Sequence, residues 1–330
     1  MQILNRKGTD GAMWTGHPSS GILPILAKAW QIENNHEAVY RYLHDDCRML
    51  LADGCYKHPE GRPAFDPAYR MDARKTLSAA GCFAEVETVA EIEAYPWPNP
   101  VYFDFAPLYC EIEQFADKMV FTGMWCSFFH VAADFFGMEE FFMKMYTNPA
   151  VVEAAIEKIV DFYAAANEQF FAGLGDRADV LFFGSDFGTQ RDLIISPELF
   201  RQFILPSIKR IAAIGKKYNK KVMLHSCGSI YRIIPDLIDA GIDVLHPIQA
   251  QATGMDAQSL AQYKNDLAFV GGIDAQSFFI NATPDEIKRE VHRVRSILGG
   301  NIVISPSHEE ILPNVPPCNV LAMAEAAREH

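Results

Sequence analysis

The sequence predicts an α/β fold: one (β/α)8 TIM barrel over residues 1–330, with an N-terminal excursion across the barrel face at residues 51–117. Three observations predict it. Short apolar segments recur along the chain, each followed by a polar or helical stretch and not directly by another apolar segment. Short buried strands alternating with helices indicate a parallel sheet. Counting all the candidates gives eight strands, and several run into glycine or a polar residue where a barrel would hold its active site.

The candidates fall in this order. Residues 12–14 and 47–50 are the first two strands, and 51–117, rich in Pro, Tyr and acidic residues with little periodicity, read as the excursion. Residues 118–122 end at Gly123 and form the third. Residues 178–183 form the fourth and run into Gly184-Ser185-Asp186-Phe187-Gly188. A helix then opens at Ser196-Pro197-Glu198, where Ser caps and Pro takes the first turn. Residues 221–224 are the fifth strand, and its helix runs through 230–238 to a stop at Gly241. Residues 242–245 and 267–270 are the sixth and seventh, the latter ending in Gly271-Gly272-Ile273-Asp274. Thr283-Pro284-Asp285-Glu286 opens a helix with a capping box, and residues 301–304 form the eighth strand before Ser305-Pro306-Ser307-His308.

Composition narrows the function. The 330 residues are 49% hydrophobic, enough for a large core, and the net charge is −13. That charge argues against nucleic acid, which needs a basic footprint, and against an anionic membrane surface. No apolar run approaches a membrane span, and the N-terminal residues lack the apolar core of a signal peptide. Seven scattered cysteines form no compact disulfide framework, so a reduced, cytoplasmic protein is expected.

The most informative stretch is His225-Ser226-Cys227-Gly228, directly after Val222-Met223-Leu224. Alternate residues of a strand point the same way, so His225 and Cys227 can face one point at a strand end while Gly228 frees the chain to turn. An imidazole and a thiol side by side are two of the three ligands of a catalytic zinc site. The barrel would gather His17, Trp125, Asp186, Gln190, His225, Cys227, Gln249, Asp274 and His308 around one mouth. Each also has a plainer role: Asp186 as a cap, Gln190 and Gln249 as loop-orienting amides, Asp274 as a turn residue. His246 before Pro247 reads as structural, and His130 and His292 as helix residues on the surface or in the core. Trp125 at a strand end is suited to stacking on a flat substrate. His17, His44, His58 and Cys55 are too irregularly spaced for a second metal site.

An ordered series of motifs follows His225-Ser-Cys-Gly: the segment 239–249, which ends His246-Pro-Ile-Gln249, then Gly254-Met-Asp256, Gly271-Gly-Ile-Asp274, Ser307-His308 and Val315-Pro-Pro-Cys-Asn319. Over about residues 118–328 this series resembles the uroporphyrinogen decarboxylase superfamily. The resemblance implies a (β/α)8 barrel and one of two chemistries. True decarboxylases of this kind carry an N-terminal Arg-rich segment and a Phe-Ser-Asp loop; neither is found, and Trp14-Thr-Gly-His-Pro18 stands in the N-terminal region. An octa-acidic tetrapyrrole needs cationic partners, so that difference favours the other branch, the corrinoid-linked zinc methyltransferases. Their zinc motif is His-x-Cys plus a distant Cys, and His225 and Cys227 match its first two members. His308 falls near the third position and can ligate zinc, with Cys318 its rival. The resemblance thus implies zinc on His225, Cys227 and His308, with His308 and Asp186 as acid/base groups. Their place at the barrel mouth makes Trp125, Gln190, Gln249, Asp274 and His17 the expected substrate contacts. No corrinoid-binding Asp-x-His-x-x-Gly motif is present, so methylcobalamin would arrive on a separate corrinoid protein, and the methyl donor or acceptor would be a small thiol, methyl ether or methylamine. The alternative is a metal-free decarboxylase of a carboxylated substrate, using Asp186 and His308 as acid and base.

Overall fold

In chain order, β2 (Cys47–Leu51), β3 (Met119–Gly123), β4 (Val180–Gly184), β5 (Lys221–His225), β6 (Val244–Ile248), β7 (Ala268–Ile273) and β8 (Ile302–Pro306) form one sheet, each strand parallel to the next. These assignments come from a computed structural model that describes residues 12–65, 79–308 and 310–329. A separate parallel pair joins β1 (His17–Pro18) to β9 (Glu310–Ile311). The strands run a little further toward the mouth than the apolar runs indicate. Ladder pairing continues through glycine and polar positions: Gly184 pairs with His225, and His225 with His246.

The first expected strand, 12–14, is reduced to a bridge between Met13 and Ile304, yet it closes the ring. The Trp14 N–H donates to the Ile304 carbonyl (2.9 Å) and the Ile304 N–H to the Ala12 carbonyl (3.1 Å). On the other edge the Asp46 N–H donates to the Met13 carbonyl (3.1 Å), and the Met13 N–H to Asp46 Oδ2 (2.9 Å). The core shows the same closure. One buried cluster holds Trp14, Cys47, Phe121, Phe182, Met223, Val244, Val270 and Val303, so residues 12–14 and every sheet strand contribute to the barrel interior. The alternate strand residues (Leu181, Val222, Leu224, Leu245) belong to a second, larger cluster shared with the surrounding helices.

Two helix starts follow their sequence signals. Ser196 Oγ accepts from the Leu199 N–H, and Thr283 with Glu286 forms the capping box of the helix Pro284–Leu298. Within 51–117, the described residues form a 3₁₀ turn (Asp53–Cys55), the helix Val89–Glu93, a second 3₁₀ turn (Pro100–Tyr102) and the helix Ala106–Glu113. Strand-like pairing there is an antiparallel bridge between Tyr56 and Phe103. Among the described residues no helix is long and apolar enough to cross a membrane.

Candidate metal centre

The alternation of each strand fixes what reaches the mouth. On β5, Met223 points into the barrel, so His225 two residues later does too, and Cys227 lies two further on. On β4 the inward series is Val180, Phe182, Gly184, and Asp186 continues it past the strand end. On β6 the inward residue after Val244 is His246. Gly184 makes room for this convergence: a Cβ there would sit 2.5 Å from His225 Cβ and 3.0 Å from Trp125 Cη2.

Three side chains meet at one point. His225 Nε2 lies 3.2 Å from Asp186 Oδ1 and 3.7 Å from Cys227 Sγ. The ligand atoms of Asp186, His225 and Cys227 all lie within 4.8 Å of one another, the one such grouping among the described residues. Burial on its own would raise the Asp186 carboxyl. The hydrogen bond and charge of His225, with the Cys227 N–H at 2.9 Å, outweigh it and hold the pKa at about 2. His225 is 2% exposed, and its Nδ1 lies 3.0 Å from Nδ1 of His246. Burial first, then the neighbouring His225, pushes the His246 pKa well below the ordinary imidazole value, so His246 is neutral at pH 7.

This arrangement fits a divalent metal. It offers one carboxylate oxygen, one imidazole nitrogen and one sulfur, a set zinc accepts. A metal on Nε2 of His225 requires the ring proton on Nδ1, and neutral His246 offers an acceptor there, the outer-shell contact typical of metal-bound imidazoles.

The other expected residues separate into groups. Gln249, 2% exposed, accepts the Gly228 N–H through Oε1 (2.6 Å) and turns Nε2 toward His308 Nε2 at 3.5 Å. His308 thus lies beside Gln249 and is not one of the trio. Cys318 is exposed at the start of the helix Pro317–Ala326. Trp125 packs against His225, ring centroids 5.0 Å apart. Gln190 has an exposed side chain, and its carbonyl accepts from the Thr253 N–H (3.1 Å), tying two mouth loops together. The Asp274 carboxylate is turned onto its own loop and accepts from Gln276 N, Phe278 N and Ser277 Oγ. His17 stacks on His36 at 4.3 Å.

Sequence reasoning missed two histidines here. His246, read as structural, is the hydrogen-bond partner of His225; its signal was the inward alternation from Val244. His130, read as a helix residue, places Nδ1 3.0 Å from Ser185 Oγ, beside Asp186, whose charge it helps stabilise. Trp125 also lines an open cavity of about 480 Å³ at the ends of β2 and β3.

The uroporphyrinogen decarboxylase (URO-D) family profile matches residues 83–330, well over half of the chain. The chain belongs to the uroporphyrinogen decarboxylase family. Curated relatives of the chain are named as methyltransferases. Methylated-thiol--coenzyme M methyltransferase of Methanosarcina mazei is 27% identical over 159 residues, covering 48% of this chain and 40% of that protein. Methylcobamide:CoM methyltransferase MtaA of Methanosarcina barkeri is 28% identical over 137 residues, covering 42% of this chain and 38% of that protein. The matched region thus spans about two fifths of the length of these relatives. A solved structure described as a methyltransferase from Methanosarcina mazei matches with a TM-score of 0.63 at 20% identity, over 98% of this chain and 96% of that one, a likeness of fold. The α/β barrel expected from the sequence is thus the fold of this URO-D family member.

Proposed function

We propose that this URO-D family protein is a cytoplasmic, zinc-dependent methyltransferase on a single barrel domain, with 51–117 as an excursion. It would move a methyl group between a small substrate and a corrinoid carried on a separate protein. One observation carries the reading: Asp186, His225 and Cys227 converge within 4.8 Å at the mouth of a barrel whose relatives bear methyltransferase names. These three side chains would hold the metal. Zinc bound there supplies a Lewis acid that lowers the pKa of a thiol or polarises the heteroatom of a methyl donor.

The chain's own residues have defined tasks in this reading. His246 holds the His225 ring through Nδ1. The Cys227 N–H fixes the Asp186 carboxylate, and Ser226 Oγ accepts the Phe187 N–H, so the loops after β4 and β5 hold each other in place. Trp125 packs on His225 and shields it from solvent. His308, facing the Gln249 amide through Nε2, is the proposed carrier of the proton that the thiol or leaving group exchanges.

The test is metal analysis of protein purified without chelator, beside Cys227→Ser. About one equivalent of zinc in the wild type and a large loss in the variant are expected. Less than about a tenth of an equivalent in the wild type after zinc reconstitution would overturn the proposal.

A further inference from the structure

We propose that the cavity beside the metal trio binds a methylated ammonium cation, seated against aromatic faces and balanced by Asp53. The cavity, about 480 Å³, opens at the ends of β2 and β3. Its walls include Tyr56, Phe65, Phe103, Phe162 and Tyr163, with Trp125 on the side toward the trio. These rings do not form a flat stack. Tyr56 meets Phe103 edge to face at 5.1 Å and Phe162 at 5.8 Å, and Phe65 meets Phe162 edge to face at 5.1 Å. Such contacts turn successive rings in different directions, so the cavity wall presents both ring faces and ring edges.

Among the described lining residues Asp53 is the one charged side chain. Its Oδ2 accepts the Trp125 N–H at 2.8 Å, which fixes the carboxylate at the cavity wall. An anionic ligand would be repelled there, and a neutral one would gain nothing from the carboxylate that a cation would pair with. A cation carrying N–H groups would need further acceptors; a fully methylated ammonium needs ring faces and a nearby countercharge. Burial raises the Asp53 carboxyl above its ordinary value, and a bound cation would lower it again.

The ligand's role as methyl donor rests on the function proposed above; its binding does not. In that role the C–N bond breaks with its electron pair kept by nitrogen, and a neutral amine leaves; the quaternary nitrogen has no lone pair for a metal, so its own positive charge makes it the leaving group. The methyl group takes the electron pair supplied by a reduced corrinoid on the partner protein.

The experiment is calorimetry on the full chain with choline and with its neutral isostere 3,3-dimethylbutan-1-ol, with zinc content measured on the same samples. Choline should bind at least about tenfold more tightly than the isostere. Phe65→Leu should weaken choline about tenfold and leave the isostere within about twofold. Asp53→Asn should reduce the preference for charge, and Phe65→Leu decides the question alone if that variant does not fold. Equal affinity for the two probes, or no binding of choline, overturns the assignment. Zinc-loaded protein that ignores choline would sink this inference and leave the metal reading standing. Zinc-free protein that binds choline would do the reverse.

Discussion

His225 and His246 are register partners on adjacent strands, and their Nδ1 atoms lie 3.0 Å apart inside the barrel. At that distance one ring donates and the other accepts. His246 is fully enclosed, packed on Trp14 at 5.0 Å and Phe182 at 5.4 Å, and its Nε2 has no hydrogen-bond partner among the described residues. The pair therefore has one adjustable feature, the ring proton. Placing it on His225 Nδ1 frees His225 Nε2 to ligate. His246→Phe keeps the packing and removes the acceptor. We expect zinc affinity to fall about 10–100-fold, measured by competition with a chromogenic chelator. An affinity within about twofold of wild type would show that His246 does not orient the ligand.

Gly184 is the second point of control. A methyl group there would lie 2.5 Å from His225 Cβ, closer than packed side chains tolerate. Gly184→Ala should displace His225 from Asp186 and Cys227, lowering zinc stoichiometry, and should cost about 1–3 kcal/mol of stability through overpacking. Urea unfolding and metal content check the two effects separately. A variant with full zinc and an unshifted midpoint would remove the close packing from the account of the site.

Asp45 lies where the ring closes and is fully buried. It accepts the Thr15 N–H at 2.6 Å and the Cys47 N–H at 3.0 Å. Burial raises its pKa to about 6 against an ordinary 3.8, the hydrogen bonds and Arg48 offsetting only part of that rise. Because the folded pKa is the higher one, the folded state binds the proton more tightly. Its stabilising contribution is complete below pH 4 and is lost as pH rises through about 6. The shift corresponds to a loss on the order of 3 kcal/mol across that window. Asp45→Asn cannot titrate, so its urea midpoint should vary less between pH 4 and 7 than that of wild type. Parallel pH profiles for the two proteins would contradict this.

The strands from 118 onward were legible because each is a short apolar run ended by glycine or a polar residue, and their alternation already placed His225 and Cys227 on one face. The segment 12–14 was harder to read. It makes a single bridge, and its evidence of being a strand is its hydrogen bonds to Ile304 and Asp46, which lie far away in sequence. The position of Asp186 in the trio was not readable either. It depends on the register that sets Gly184 beside His225, and nothing local distinguishes Asp186 from Asp274 as a mouth carboxylate. The aromatic cavity was hidden for the same reason: Tyr56 and Phe65 meet Phe162 and Tyr163 only through the fold.

Asp274 gives the clearest separation between a substrate contact and a loop anchor. Its carboxylate is 5% exposed and accepts from Gln276 N (2.9 Å), Phe278 N (3.0 Å) and Ser277 Oγ (2.8 Å), with Gln251 Nε2 at 3.3 Å. Burial raises its pKa, but these donors outweigh burial and hold it below the ordinary value. Few of its acceptor positions remain for a ligand. Asp274→Ala strips several buried donors of their partner, so we expect a loss of about 1–3 kcal/mol in unfolding free energy. Zinc content should be unchanged, and choline affinity should stay within about twofold of wild type. A variant with wild-type stability and sharply reduced ligand affinity would reverse the assignment and return Asp274 to the substrate.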